Sequence, residues 1–358
     1  MKQVLIITMM LCCANAWSQG LIIGHNCTDI SQVPPAFIDS AKAHFKCTYG
    51  HTSHGSQIVS GMQIMENNDP VLFNFASDRS YYLYGNGEPL PDSVLSFWDY
   101  VPEGDLGNPD YSTWATRTDV MLSNSDGAYD IYPHGRNFVM WSWCGQAATS
   151  EANINLYLSL MTNLENNYPD VTFIYMTGHL NGTGETGTLH LRNEQIRQYC
   201  RDNNKVLFDF ADIESYDPDG DYFLDLYATD NCDYTGGNWA DEWCAEHPGD
   251  PLCETCSCAH SRPLNCNLKG RAFWWMMARL AGWTGVAPQN LTVSYDGSDI
   301  VLNWDEVPGA VAYQVLSSDN PDTGFTEDLT GTFDGTSWST PLPAAPELAK
   351  FYCVTAVY

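Results

Sequence analysis

Positively charged residues are scarce in this sequence. Lys and Arg number 15 against 44 Asp and Glu, so the 358-residue chain carries a formal net charge of −29 at pH 7. A surface of this sign repels nucleic-acid phosphates and anionic membranes over the Debye length. The composition therefore excludes nucleic-acid binding from the expected functions and suits a protein that acts on neutral or cationic polymers.

The sequence also lacks an apolar run long enough to span a membrane. The N-terminal run Val4–Cys13 is much shorter than the roughly 20 residues that a spanning helix needs. Lys2 precedes this run and Ala14-Asn15-Ala16 follows it, which is the order of a cleavable secretory signal. We therefore predict that residues 1–20 are a signal peptide and that the mature protein is secreted, either extracellular or periplasmic.

A pair of evenly spaced Cys-x2-Cys units, the usual zinc pattern, is missing as well. The chain has 13 cysteines, a high number that is typical of an oxidising compartment. A group of them lies in one loop-rich region with irregular spacing: Cys232, Cys244, Cys253, Cys256, Cys258 and Cys266. We predict disulfide bonds in this region, with a connectivity that the sequence leaves open.

The chain contains two regions of different pattern. Residues 21–284 alternate strand-like and helical segments, whereas residues 287–358 contain only strand and turn patterns. The segment Gly282–Pro288 between them is typical of a helix end followed by a short linker. We therefore predict an α/β domain over 21–284 and a second, all-β domain over 287–358.

Strands and helices alternate most clearly between residues 137 and 210. This order predicts right-handed crossovers and a doubly wound parallel sheet covered on both faces, with the active site at the carboxyl ends of the strands. The predicted elements are strand Asn137–Trp143, helix Asn153–Asn167, strand Val171–Met176, helix Asn193–Asn203, strand Val206–Phe210 and a closing helix Gly270–Leu280.

A serine lies on a glycine-flanked turn between a predicted strand and a predicted helix. The segment is Tyr49–Gln57, in which Ser53 stands between Gly50 and Gly55. Such a turn lifts a nucleophile clear of the sheet, and the helix N-terminus supplies N–H groups for a developing oxyanion. The alternative is that Ser53 or Ser56 merely caps the helix, since serine is favoured there.

With this order of elements, the α/β region resembles the SGNH (GDSL-type) hydrolases. The resemblance covers residues 44–284 and lies in three blocks: Gly50–Gly55, Trp143–Gln146 and the segment around His260. The family's Gly-Asp-Ser is absent from the first block. The third block has Ser257 where the family has an Asp three residues before its histidine.

The resemblance implies a role for each matching residue. Ser53 is the expected nucleophile, with Ser56 as the alternative, and His260 is the expected general base. The oxyanion donors are the Gly145 N–H and the side-chain amide of Gln146, which stands where the family has Asn.

Two further positions are left open beside these roles. His179, after the next strand, would line the pocket or orient the substrate, or would be an ordinary loop histidine. The partner of His260 would be a backbone carbonyl, Asp209 or Asp212, and His247 is the alternative base.

An acidic loop follows the predicted strands. Its carboxylates are two residues apart over most of its length, at Asp217, Asp219, Asp221 and Asp225. Oxygen ligands at such spacing are typical of calcium loops, although the glycine and glutamate positions of an EF-hand are not matched. The loop is therefore either a structural calcium site or a solvated acidic turn. A serine hydrolase requires no other cofactor.

The C-terminal region resembles a fibronectin type III module. The resemblance lies in two runs, Leu302–Tyr313 with the pattern L-x-W-x-x-V-x-G-A-x-x-Y, and Phe351–Ala356 with F-Y-x-V-T-A. Short alternating strands with a core Trp also favour a β-sandwich by themselves. The resemblance implies a spacer or binding module without chemistry of its own.

The function that these features favour is a secreted serine esterase or deacetylase acting on an extracellular carbohydrate or a small ester. One alternative is a metal-dependent hydrolase with His51, His54 and His179 as ligands. The other is a carbohydrate-binding or adhesive protein that keeps the fold without catalysis. The substrate class follows from the resemblance alone, because a fold does not fix a function. The sequence leaves the oligomeric state open.

Overall fold

The structure is a computed structural model that describes residues 20–77, 90–125, 127, 135–285, 288–307, 310–319, 325–341 and 350–357. The predicted signal peptide lies almost wholly outside these residues. The chain divides into two compact units, Gln19–Ala281 and a second one that contains Gly282–Tyr358. Each unit is described separately.

The first unit is built on a parallel sheet of seven strands in the order β1-β7-β6-β5-β2-β4-β3. All of its strand pairs are parallel. In β5, every side chain from Phe138 to Trp141 is at most 2% exposed, as expected for a strand covered on both faces. The strands are β1 Leu21–Ile23, β2 Lys46–Gly50, β3 Phe75–Ala76, β4 Leu95–Asp99, β5 Phe138–Trp141, β6 Thr172–Met176 and β7 Val206–Phe208.

The helices between these strands pack in two groups, α1 with α2 and α8, and α3 with α4 and α5. The predicted parallel α/β architecture is therefore confirmed, with an additional strand pair, β8 and β9, outside the main sheet. The helices are α1 Pro35–His44, α2 Ser56–Asn68, α3 Thr113–Ser123, α4 Glu151–Asn167, α5 Thr188–Asp202, α6 Phe210–Ile213, α7 Trp239–Glu246 and α8 Pro263–Leu280; β8 and β9 are Asp233–Tyr234 and Gly237–Asn238.

The closing helix is longer than predicted. It begins at Pro263 rather than Gly270, because proline is well accommodated in the first turn of a helix, where its missing N–H costs nothing. His260 therefore lies only just before the helix. Almost every side chain of α8 is buried, including Asn265 and Lys269.

Two glycines allow α2 and α8 to cross closely. A Cβ atom on Gly61 would collide with the backbone carbonyl of Cys266, and one on Gly270 would collide with the backbone of Gly61. Because α2 follows the Ser53 turn and α8 follows His260, this crossing brings two segments distant in sequence to one end of the sheet.

The Cys-rich region contains two disulfide bonds, Cys244–Cys253 and Cys258–Cys266. The prediction of disulfides is confirmed for these four cysteines. Cys232 and Cys256 do not take part in a disulfide. The bond between Cys258 and Cys266 links the segment around His260 to α8.

The second unit consists of antiparallel sheets. One has the order β10-β11-β15-β14 and the other β13-β12-β16. The buried core consists of Ile300, Leu302, Trp304, Val315, Trp338, Tyr352 and Val354. The strands are β10 Thr292–Tyr295, β11 Asp299–Asn303, β12 Ala312–Ser318, β13 Thr326–Glu327, β14 Thr332–Asp334, β15 Ser337–Pro341 and β16 Phe351–Val357.

Candidate active site

The candidate site lies where the strand order of the sheet reverses. The chain passes from β2 to β4 on one side of β2 and then to β5 on its other side. Helices leave opposite faces at such a switch point, and the crevice outside the strand ends is the usual ligand site of doubly wound sheets. The turn Gly50–Gly55 leaves β2 here, and Cys144 follows β5 on the neighbouring strand.

Ser53 is presented on the tight turn that joins β2 to α2. The Ser56 N–H donates to the carbonyls of Thr52 and Ser53, and the Gln57 N–H donates to the carbonyl of His54. The Ser53 side chain does not cap the helix. The N-cap residue of α2 is Gly55, and the helix start has no side-chain capping hydrogen bond. Ser53 is half-buried, and its hydroxyl lies near His260 and Cys144.

His260 reaches the same place from the segment before α8. It is exposed and has a φ of +59°, a left-handed conformation that costs a non-glycine residue free energy and persists only where its surroundings hold it. The disulfide of Cys258 holds this segment from one side. From the other side, the Gln57 side chain donates a hydrogen bond of 2.7 Å to the carbonyl of Ala259.

These two elements bring Ser53 and His260 together. The distance from Ser53 Oγ to His260 Nε2 is 3.0 Å, across a sequence separation of 207 residues. A hydroxyl within hydrogen-bond reach of an imidazole nitrogen is the arrangement in which histidine removes the proton of a serine nucleophile. Ser53 and His260 are the pair that the sequence predicted.

Three histidine rings lie stacked beside this pair, and we refer to His179, His54 and His260 as the histidine stack. His54 is the middle ring, 3.9 Å from His179 and 4.5 Å from His260 between ring centroids, with interplanar angles of 6° and 13°. The flanking rings hold the plane of His54. His179 therefore lies in the site, as a neighbour of His54 rather than of Ser53.

The two nitrogens of His54 face two different groups. Its Nδ1 lies 3.1 Å from the Sγ of Cys144, and its Nε2 lies 2.9 Å from Oδ2 of Asp230. The Cys144 Sγ is also 3.6 Å from Ser53 Oγ. The loop of Asp230 is fixed by the hydrogen bond from its N–H to the carbonyl of Leu180.

Burial and hydrogen bonding change the pKa values of His54 and Asp230. Burial lowers the pKa of His54 below its ordinary 6.5, an effect that the hydrogen bond to Asp230 offsets in part. Burial acts to raise the pKa of Asp230, but the hydrogen bond from His54 and the charges of His179 and His54 outweigh it, and the net result is a lowered pKa. Near neutral pH, His54 is therefore neutral and Asp230 ionised.

A buried ion pair is connected to the site through hydrogen bonds. Lys269 Nζ lies 2.6 Å from Oε1 of Glu214, and both side chains are fully buried. The other oxygen of Glu214 accepts a hydrogen bond of 2.6 Å from the N–H of Leu180, next to His179. Lys269 also donates to Oε1 of Gln57. One buried network thus fixes the loop of His179 and the start of α2.

The predicted oxyanion residues lie on the loop after β5. The side-chain oxygen of Gln146 accepts a hydrogen bond of 3.1 Å from the N–H of Cys144. Since the oxygen end of this amide is engaged, the NH2 end is the one available to a ligand. Gly145 is exposed, and its position has open space around it.

The alternative nucleophile Ser56 and the alternative base His247 form hydrogen bonds with other groups. Ser56 donates a 2.6 Å hydrogen bond from its hydroxyl to the carbonyl of Ser53, which makes it a poor alternative nucleophile. The Nδ1 atom of His247 lies 2.9 Å from the carbonyl of Trp243, and its ring stacks on that side chain.

The two proposed acid partners of His260 also bind other groups. Asp209 accepts hydrogen bonds from Arg197 and Thr177. Asp212 accepts a hydrogen bond of 2.8 Å from the N–H of His25. Within the described residues, neither is a hydrogen-bond partner of His260.

The three histidines of the predicted metal site do not converge. His51 Nε2 lies 2.6 Å from Oδ1 of Asp99, away from His54. The described residues instead bring together His54, Asp230 and His260, with one ligand atom of each within 4.8 Å of the others.

The acidic loop is organised by its own hydrogen bonds. Asp217 Oδ1 accepts from the N–H groups of Asp219 and Asp221, and Asp219 Oδ2 accepts from the indole of Trp243. Its carboxylates are not among the ligand groups that the described part of the chain assembles. Calcium binding at Asp217, Asp219, Asp221 and Asp225 stays a prediction.

Sequence reasoning missed Cys144 and Asp230 as functional candidates. The sequence does contain a signal for Cys144. This cysteine lies outside the clustered region and directly follows a predicted central strand. Asp230 has no comparable signal, since its loop carries no motif and only tertiary contacts carry it to His54.

Comparisons with protein families, with characterised proteins and with solved structures found no match. Among the described residues, no helix is long and apolar enough to cross a membrane.

Proposed function

We propose that the α/β unit is a serine hydrolase that cleaves carboxylic esters, with Ser53 as the nucleophile and His260 as its general base. The observation that carries the proposal is the 3.0 Å distance between Ser53 Oγ and His260 Nε2. Its place at the switch point of the sheet supports it further. The strand order β7-β6-β5-β2-β4 is in keeping with an SGNH-like fold.

In the proposed mechanism, these residues act in two stages. His260 removes the proton of Ser53 as Oγ attacks the ester carbonyl, and returns it to the departing alcohol. Water, deprotonated by His260, then attacks the acyl-serine, and Ser53 Oγ takes the proton from His260 as its bond to the acyl carbon breaks, which releases the carboxylic acid. The Gly145 N–H and the Gln146 amide are the proposed donors to the oxyanion, a contribution that is often worth about 10²- to 10³-fold in rate.

Asp230 is a candidate to balance the charge on His260. A ligand atom of its carboxylate lies within 4.8 Å of one of His260. The hydrogen bond of this carboxylate goes to His54, so Asp230 would act on the imidazolium through its charge while the histidine stack orients the ring. The family's Asp at position 257 is replaced by Ser257, and Asp230 offers a substitute from another loop.

The proposed substrate is an ester group on an extracellular carbohydrate or a small extracellular ester. The predicted signal peptide and the net charge of −29 support a secreted enzyme acting on neutral or cationic polymers. The second unit would then be a fibronectin type III-like spacer or binding module. Its sheet order β10-β11-β15-β14 is in keeping with the A-B-E-D sheet of immunoglobulin-like sandwiches.

The test is labelling of the mature protein with a fluorophosphonate, followed by peptide mapping of the adduct. We expect the adduct on Ser53, and none in the Ser53→Ala variant, while Ser56→Ala is labelled like the wild type. An adduct on Ser56, or none on the folded protein, contradicts the proposal.

A metal-dependent hydrolase is the second candidate, favoured by the convergence of His54, Asp230 and His260. In that case a chelator abolishes ester hydrolysis, Zn²⁺ restores it, and Ser53→Ala retains activity. The serine mechanism predicts the opposite result in each measurement. Glycan binding without any turnover, unchanged by Ser53→Ala, would instead indicate a binding protein.

A further inference from the structure

A cysteine thiol in the same crevice contacts a histidine. Cys144 is half-buried, and its Sγ is 3.1 Å from Nδ1 of His54, whose Nε2 is 2.9 Å from Asp230. Ser53 and His260 border this chain of contacts without being links in it: Ser53 Oγ is 3.6 Å from the thiol, and the His260 ring stacks on that of His54. Nucleophile, base and a third group that orients the base are the three parts of a catalytic triad.

The hydrogen-bond partners fix the tautomer of His54. An ionised carboxylate can only accept hydrogen bonds, so Asp230 binds the Nε2–H of the neutral ring. The lone pair of the ring is therefore on Nδ1, which faces the thiol of Cys144. The ring cannot easily turn away, since His179 and His260 cover its two faces.

Five further cysteines of the described residues, Cys27, Cys47, Cys200, Cys232 and Cys256, have no hydrogen bond to a histidine. Burial raises the pKa of Cys27 and Cys232 to about 12 and also raises those of Cys47 and Cys200. Cys256 is half-buried like Cys144, and burial raises its pKa to about 11. Cys144, by contrast with these five, lies 3.1 Å from a histidine nitrogen.

We propose that Cys144 is a second acyl-accepting nucleophile, with His54 as its general base and Asp230 as the residue that positions His54. The proposed substrates are acyl thioesters, because attack by a thiol exchanges one C–S bond for another, whereas attack on an alkyl ester must expel the more basic alkoxide. The thiol is also 3.6 Å from Ser53 Oγ, so both nucleophiles can reach the same acyl carbon.

In this reaction His54 transfers the proton from Cys144 to the departing thiol. The proton of Cys144 passes to Nδ1 while Sγ bonds to the acyl carbon, and the bond to the departing thiol breaks as that thiol takes the proton from His54. Water, deprotonated by His54, then cleaves the new thioester, which releases the carboxylic acid and restores the Cys144 thiol. No oxidant or metal is required.

The first test measures the reactivity of Cys144 against an internal control. Wild-type protein is treated briefly with iodoacetamide at neutral pH, and the adducts on Cys144 and Cys256 are quantified by peptide mapping. We expect Cys144 to react at least about tenfold faster, because it has a base and Cys256 does not. Equal rates at the two half-buried cysteines would overturn the proposal.

The next test assigns the roles of His54 and Asp230. His54→Gln and Asp230→Asn should reduce alkylation of Cys144 towards the rate of Cys256, whose own rate stays unchanged. Asp230→Glu should restore part of the Cys144 rate. Labelling of the buried Cys47 or Cys200 would reveal an unfolded variant, in which case the wild-type comparison alone decides.

The final test uses an acyl donor. Ser53→Ala protein is mixed with an acyl thioester, and a hydroxylamine-sensitive acyl adduct is expected on Cys144 but not on Cys256. Absence of this adduct from protein that iodoacetamide labels rapidly at Cys144 would overturn the acyl-transfer step. The proposal is separable from the serine mechanism, because fluorophosphonate labelling reports on Ser53 and alkylation reports on Cys144.

Discussion

The two units of this chain bury different kinds of side chain. The α/β unit buries His51, His54, Lys269 and Glu214, whereas the second unit has an apolar core around Trp338. The buried polar side chains described in the second unit are Ser317, Ser318, Asp328 and Thr340. Removing charged groups from water costs free energy that a scaffold need not spend. The buried charges of the α/β unit are therefore consistent with the proposal that places the nucleophile there.

The sharpest way to test this comparison is to remove the nucleophile. Ser53→Ala should lower ester hydrolysis by at least about 10³-fold, because loss of a catalytic serine leaves only binding and oxyanion stabilisation. The measurement is kcat/KM on a small aryl ester. Ser56→Ala, whose hydroxyl is bound to the Ser53 carbonyl, is the matched control and should stay near the wild-type rate.

A second prediction concerns the buried charges. Lys269→Met should destabilise the α/β unit by about 3–5 kcal/mol, because it leaves the buried Glu214 carboxylate without its partner. Denaturant unfolding measures this loss. The double variant Lys269→Met with Glu214→Leu should recover much of the stability, since it removes both charges. A single variant as stable as the wild type would contradict a stabilising role of this ion pair.

A third prediction concerns the core of the second unit. Trp338 is 0% exposed, and Trp338→Ala should destabilise this unit by about 3–5 kcal/mol through the cavity that it leaves. Hydrolysis of a small ester should be unchanged, because the proposed catalytic residues lie in the other unit. If the folded variant loses this activity, the division of roles between the units is wrong.

The smallest expected effect is on acid stability. The folded-state pKa of His54 is lowered from 6.5, so below pH 6.5 the unfolded chain takes up this proton more readily than the folded one. Protonation therefore favours unfolding, and stability should fall as the pH drops below that value. The melting temperature of His54→Asn should depend less on pH over this range. The exposed His44→Asn should retain the wild-type dependence.

Much of the fold followed from periodicity. The strand Val171–Met176 and the helix Asn153–Asn167 were predicted within two residues of the observed β6 and α4, since β-branched runs and apolar spacing are local signals. The start of α8 was missed, because the residues before Gly270 alternate apolar and polar, which is not a helical spacing, and the polar ones are buried by tertiary contacts. Asn265 and Lys269 have no sequence signal for burial.

The proposed catalytic pair and its surroundings were predictable to different degrees. Ser53 stood out by its turn, and His260 was found through the resemblance to the SGNH hydrolases. Cys144 was taken only as part of a turn, and His54 only as a metal ligand. Their contact depends on the order of β2 and β5 in the sheet, which local sequence does not encode.

Local periodicity, turn chemistry and composition were sufficient to predict the parallel α/β pattern, the disulfide-bonded region and the C-terminal strands. The two residues proposed for ester cleavage required the family resemblance as well. Only the tertiary structure decided that His54 faces Cys144 and Asp230, that His51 turns to Asp99 and that Lys269 is buried with Glu214. Side-chain partners are set by the packing of distant segments, because hydrogen bonds and ion pairs act over a few ångströms.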